Sequence, residues 1–163
     1  MTLGPQEPQI EQDVIGPGME EDCTATARDV IDILLEQHEW IRDLLADVQS
    51  GGPGKQWAFD DLRNLLAAHE ESEEAVLRPV TRRVASDDVA SARNWEEEQA
   101  DELLAALARL DIGSAEFDSM FSDFRSAVAA HAAHEEAEEF PRIRAGVARA
   151  QLVAMARDLL AVE

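Results

Sequence analysis

A motif that occurs twice constrains this chain more than any other feature. His69 is followed four residues on by Glu73, and Pro79 lies further along; His131 is followed at the same intervals by Glu135 and Pro141. The match extends upstream, where Leu62 and Leu66 precede His69 as Phe124 and Val128 precede His131. Residues four apart on an α-helix lie on one face, about 40° apart around the axis. Each His–Glu pair therefore continues an apolar stripe, and such a stripe faces a core. Ionisable pairs aimed at a core are costly unless something binds them there. The expected binder is a metal ion.

Four helical stretches carry these pairs. The first is predicted from about Ala25 to Gln49, with Ile31, Leu34, His38, Ile41, Leu45 and Val48 at spacings of three and four. Ser50-Gly51-Gly52-Pro53-Gly54 ends it. The second runs from Trp57 or Phe59 to Ala85, and its stripe holds Leu62, Leu65, Leu66, His69, Glu73, Val76, Leu77 and Val80. Pro79 lies inside that pattern and predicts a kink or a new segment. Ser86-Asp87-Asp88 reads as the N-cap region of the third, about 87 to 110, with Leu103, Leu104, Leu107 and Leu110 inward. The fourth runs from Ala115 to Arg144, with Phe117, Met120, Phe121, Phe124, Val128, His131 and Glu135 inward. Gly146 breaks the run, and residues 147–161 form a short amphipathic helix through Val147, Leu152, Met155 and Leu159.

Short links make neighbours antiparallel, so the expected fold is all-α, an up-down antiparallel four-helix bundle. The bundle spans about 25–145. The Pro-, Gly- and acid-rich residues 1–24 form a tail without its own fold, and 146–163 supply the short C-terminal helix. A weaker likeness relates helices one and three. His38 is followed by Leu44, Leu45 and Ala46 at the intervals at which Glu97 is followed by Leu103, Leu104 and Ala105. The chain thus reads as a duplicated helical hairpin, with Glu97 where the duplicate of His38 falls.

Composition agrees with a helical reading, since Ala and Leu dominate and Tyr is absent. The formal net charge of -21 argues against nucleic acid and anionic membrane surfaces as partners. Most of that charge is a solvated acidic surface. Cys23 is the single cysteine, so no intrachain disulfide forms, which suits the cytoplasm. No stretch approaches the roughly 20 apolar residues of a membrane span, and nothing at the N-terminus reads as a secretory signal.

Brought together, the inward groups are His38, His69, Glu73, Glu97, His131 and Glu135. This mixed nitrogen and oxygen set, without a thiolate, suits iron or manganese better than copper or structural zinc. Two ions are favoured over one, because Glu73 and Glu135 come from opposite hairpins and each can bridge, with His69 and His131 terminal.

These residues carry a resemblance. Residues 27–144 resemble the hemerythrin-like, His-His-Glu cation-binding domains, in a form similar to those of actinobacteria. The carriers are the Asp29–His38 run, His69 to Pro79, Glu96-Glu97-Glu98 before Leu103-Leu104, and His131 to Pro141. The resemblance implies two iron ions with an oxo or hydroxo bridge, manganese or zinc being able to take their place, that handle O₂, H₂O₂ or nitric oxide. It implies His38, His69, Glu73, His131 and Glu135 as ligands, with Glu73 and Glu135 bridging. The family commonly offers histidine on the third helix, whereas no His lies between His69 and His131 here. Glu97 is the expected replacement from the hairpin register, and Glu96 is its rival.

His134, three residues past His131, falls beside the stripe and is expected outside the ligand set. Trp40, Trp57 and Trp95 are expected to pack at helix edges. Glu70, Glu71, Glu74, Glu136, Glu138 and Glu139 are expected on solvated faces, a few of them behind the ligands. The leading function is a di-iron protein that binds a small oxidant or disproportionates peroxide, as a monomer or weak homodimer. The alternative is a non-catalytic sensor of oxygen, nitric oxide or iron.

Overall fold

The computed structural model describes residues 27–162, and the predicted tail with Cys23 lies outside the described residues. All regular structure among them is helical, in the order α1 (Val30–Ser50), α2 (Lys55–Ser72), a π-turn (Glu73–Leu77), α3 (Arg78–Val84), α4 (Asp87–Leu107), α5 (Ala115–His134), a second π-turn (Glu135–Glu139), α6 (Phe140–Gly146) and α7 (Arg149–Val162). Helix α1 packs on α2 and α4 on α5, giving the two hairpins of a helical bundle. No described helix is long and apolar enough to cross a membrane.

The caps explain most boundaries. Helix α1 starts at Val30 rather than near Ala25, because Asp29 is an extended N-cap locked in a capping box with Asp32. Each of the two aspartates accepts the other's backbone N–H at 2.9 Å. Ser86 and Ser114 cap α4 and α5 through the backbone N–H groups of Val89 and Phe117, each at 3.1 Å. Gly51 and Gly52 take positive φ, 73° and 87°, in the turn that reverses the chain after α1.

The prolines act differently from a simple kink. Pro79 and Pro141 each sit in the first turn of a new helix, straight after a π-turn. Proline cannot donate to the carbonyl four residues back and its ring crowds that carbonyl. The backbone widens instead: the Arg78 N–H donates to the Glu73 carbonyl and the Phe140 N–H to the Glu135 carbonyl, five residues back in each case. The extra residue appears at the same place in both copies.

The core is split into two apolar layers. One holds Ile31, Leu34, Leu77, Phe140, Ile143 and the α7 residues Leu152, Met155 and Leu159. The other holds Ile41, Leu45, Phe59, Leu62, Leu66, Phe117, Phe121, Phe124 and Val128. Along α1, His38 falls between them: Leu34 belongs to the first layer and Ile41 to the second. The polar groups of the repeated motif thus occupy a slab with hydrophobic packing on both sides.

Candidate metal centre

Each hairpin delivers a triad to this slab. His38, His69 and Glu73 come from the first hairpin, and Glu97, His131 and Glu135 from the second. They form two overlapping clusters. His38, His69, Glu73 and Glu135 offer one ligand atom each, all within 4.8 Å of one another, and so do Glu73, Glu97, His131 and Glu135. Each cluster is one hairpin's triad plus the other hairpin's motif glutamate. Glu73 and Glu135 are shared, and both are fully buried.

The three imidazoles are held from behind. Nδ1 of His38 lies 2.8 Å from Glu136 Oε1, Nδ1 of His69 lies 2.8 Å from Gln37 Oε1, and Nδ1 of His131 lies 3.1 Å from Glu96 Oε2. Each Nε2 is left facing the carboxylates: 3.2 Å from His38 to Glu135, 3.5 Å from His69 to Glu73, and 3.3 Å from His131 to Glu135. Anchoring one ring nitrogen sets the tautomer and orientation presented by the other. The rivals on α4 separate on this geometry. Glu97 Oε1 faces His131 Nε2 at 3.6 Å, whereas Glu96 sits behind the ring on Nδ1. Exposed His134 binds the other oxygen of Glu96 at 2.7 Å, and neither cluster includes it.

Burial divides the titrations. His69 is pushed down to about 3, chiefly by burial. Burial also disfavours a charged His131, but the carboxylates of Glu135, Glu96 and Glu73 outweigh it and push that group up to about 10. Glu73 is raised well above the usual carboxylate range by burial and by the Glu135 charge. Glu135 is as deeply buried, yet His131, His38 and Arg78 hold it well below that range. The shared carboxylates are therefore pulled apart, one toward the proton and one away from it.

Arg78 is the residue that periodicity missed. It is fully buried. Its Nη2 reaches Glu135 Oε1 at 2.8 Å, Glu73 Oε2 at 3.3 Å and Glu97 Oε1, while Nη1 reaches Glu139 Oε1 at 2.8 Å. In a regular helix Arg78 would lie about 140° around from Glu73. The π-turn brings residues five apart onto one face, and it aims the guanidinium at the carboxylates. Glu139, expected on a solvated face, is fully buried against Arg78 and Thr81. Its signal was present, since it continues the His131–Glu135 stripe one step further. Nothing in the periodicity marks Gln37 as the anchor of His69. Trp40, Trp57 and Trp95, expected to pack at helix edges, are instead 51%, 66% and 61% exposed. Their positions fall outside both apolar layers.

A cavity of about 280 Å³ opens against the three imidazoles. Leu45, Leu66, Ala100 and Val128 make its apolar wall, with Arg42, Glu70 and Arg125 also lining it. Burial, with the charges of Asp101 and Glu97, pushes Glu70 up to about 8.

The donor set fits metal ions. His38 Nε2, His131 Nε2, Glu73 Oε1 and Glu135 Oε2 are buried without a hydrogen-bond partner. A buried polar atom in that condition is expensive, and these four converge on shared cluster residues. Imidazole nitrogens mixed with carboxylate oxygens suit intermediate cations.

Comparison with known proteins agrees. No curated protein sequence matches the chain. A crystal structure of a hemerythrin HHE cation binding domain-containing protein, the Rv2633c homolog from Mycobacterium kansasii, superposes with a TM-score of 0.75. It is 20% identical, and the match covers 82% of this chain and 84% of that one. At that identity the likeness speaks for the fold alone. The model of the hemerythrin HHE cation binding domain matches residues 29–143, the stretch that contains both motifs and both hairpins. The chain belongs to the hemerythrin HHE cation-binding domain family.

Proposed function

We propose that this chain is a non-haem di-iron protein that reacts with a small oxidant, with catalase-like disproportionation of peroxide as its activity. The observation that carries this reading is the overlap of the two clusters on Glu73 and Glu135. An isolated mononuclear site has no use for two shared carboxylates, whereas a dinuclear one needs bridges that neutralise adjacent cations. In this reading His38 and His69 would hold one ion, His131 and Glu97 the other, and Glu73 and Glu135 would serve both. Manganese or zinc could take the place of iron on the same donors. When bound, an iron or manganese pair would supply electrons to, and accept them from, O₂, peroxide or nitric oxide, whereas zinc, which has no redox chemistry, would not.

The chain's own residues orient and enclose. Gln37, Glu136 and Glu96 fix the ring planes. The cavity beside the imidazoles has room for a diatomic or a peroxide, and its apolar wall limits bulk water. Three carboxylates stand beside three imidazoles, and an anionic shell favours higher oxidation states, which suits peroxide chemistry more than reversible oxygen carriage. The protein acts on a small molecule in the cytoplasm as a monomer or weak homodimer, with no role for nucleic acid or membrane.

The test is oxygen release from added H₂O₂ by the iron-loaded full chain, beside a His131→Ala variant. Rapid release that the variant loses supports the proposal. Two bound irons with no peroxide turnover and a reversible O₂ spectrum replace it with the sensor or carrier reading.

A further inference from the structure

The two cation positions of the proposed centre are not equivalent, and the difference is written into the repeat. Arg78 and Phe140 stand at matching places in the two copies, each five residues past its motif glutamate and one before its proline. Phe140 stacks on His38, with ring centroids 5.6 Å apart and planes 22° from parallel. Arg78 lies instead on Glu97, the residue that replaces His38 in the second copy. One position is thus backed by an apolar ring and the other by a guanidinium.

A phenyl ring does not compete for ligand atoms, whereas a guanidinium does. Arg78 Nη2 holds one oxygen from each of Glu73, Glu97 and Glu135. Glu73 and Glu135 belong to both clusters and Glu97 to the His131 cluster alone, and the held oxygens of Glu97 and Glu135 are the ones that face His131 Nε2, at 3.6 and 3.3 Å. Nη2 carries two N–H groups for three acceptors, so it is already shared. The oxygens of the shared glutamates that Arg78 does not hold, Glu73 Oε1 and Glu135 Oε2, have no hydrogen-bond partner, and neither have His38 Nε2 and His131 Nε2; the free Glu135 Oε2 is the one that faces His38 Nε2, at 3.2 Å.

We infer that Arg78 makes metal loading sequential: the His38–His69 position fills first, and the His131–Glu97 position fills only as Arg78 gives up its carboxylate contacts. This rests on the dinuclear reading above. Arg78 is a positioning and competing residue, not a catalytic one. An ion in the His131 cluster and Nη2 draw on the same oxygens, and each charge-assisted hydrogen bond released weakens the second binding step. The loss of one such bond corresponds to a gap of about tenfold or more between the two affinities.

The experiment is anaerobic titration of the chelator-stripped full chain with Mn(II), followed by calorimetry and electron paramagnetic resonance. Expected for the natural chain is a first equivalent with the spectrum of isolated Mn(II). A second, weaker equivalent then converts it to that of a coupled pair. In Arg78→Gln both affinities rise, because a cation is removed, but their ratio falls toward unity. The ratio is the readout, since a general electrostatic effect moves both steps together. Should Arg78→Gln not fold, Arg78→Lys keeps the charge without the fork and carries the same measurement. Two equal affinities in the natural chain, or an unchanged ratio in the variant, overturn the inference and leave the dinuclear reading standing. Saturation at one equivalent in both proteins, or at none, overturns the two together.

Discussion

Gln37 Oε1 lies 2.8 Å from Nδ1 of His69, and both side chains are buried. The amide therefore fixes a ring whose other nitrogen faces Glu73, and it is drawn from α1 onto a histidine of α2. Gln37→Leu keeps the volume and removes that anchor. Metal affinity is expected to fall about 10–100-fold, the usual worth of such an outer partner, with helix content unchanged by circular dichroism. Unaltered affinity would mean that packing alone orients His69.

The shared carboxylates predict opposite responses to the same substitution. Glu73 is driven toward its protonated form by burial and by Glu135, so Glu73→Gln imitates a state the fold already tolerates. Bound metal should drop strongly while the chelated protein keeps its thermal midpoint. Glu135 is held ionised against burial by His131, His38 and Arg78. Glu135→Gln removes that charge from its buried partners and should cost about 3–5 kcal/mol. Matched denaturant melts of the two variants, both with chelator, check the contrast.

Metal uptake should release protons at neutral pH. His131, pushed up to about 10, holds a proton there, burial and the Glu135 charge shift Glu73 in the same direction, and ligands must lose their protons to bind. Affinity therefore rises with pH. The sign for folding of the chelated protein is the reverse. A group whose folded pKa is raised stabilises below its unfolded value and loses that contribution as pH climbs through the folded one. Between the ordinary histidine value of 6.5 and about 10, His131 should make the chelated protein steadily less stable. His69, pushed down to about 3, acts only below 6.5, where acid weakens the fold. Calorimetry in two buffers of different ionisation enthalpy counts the released protons, and urea melts across pH test the folding trend.

Val84 and Gly146 stand at matching places in the two copies and meet each other. A Cβ built on Gly146 falls 2.8 Å from Val84 Cβ. Both residues end the short helices that follow the prolines, so there is little room for the backbone to retreat. Gly146→Ala should destabilise the chain by about 1–3 kcal/mol through overpacking, and Val84→Ala in the same background should restore part of it. Additive losses in the double variant would show that the two do not share one contact.

The bundle and the inward His–Glu pairs were legible because both obey one period. His38, His69, Glu73, His131 and Glu135 fall on apolar stripes at spacings of three and four, and the structure gathers them with Glu97 into two clusters. Arg78 was not legible, because its inward aim depends on a π-turn that changes the period just ahead of Pro79. Glu139 is legible on the same period, although a fourth glutamate in a run of acids looks solvated until Arg78 is known to face it. That Gln37, Glu136 and Glu96 are the anchors is not legible for another reason. Each anchors a histidine on a different element, and the period of a single helix says nothing about its neighbour. Helix α1 starts later than the sequence suggests because Asp29, which reads as one more acid in an acidic stretch, caps the helix with its carboxylate and binds Arg149.

Iron analysis of the full chain as isolated, with its visible spectrum, tests the central claim most directly. The account predicts two irons per chain, one for each cluster that shares Glu73 and Glu135, and the absorption of a bridged ferric pair, both lost in Glu73→Gln. A folded chain that retains no transition metal and takes up none from Fe(II) under anaerobic conditions would contradict it.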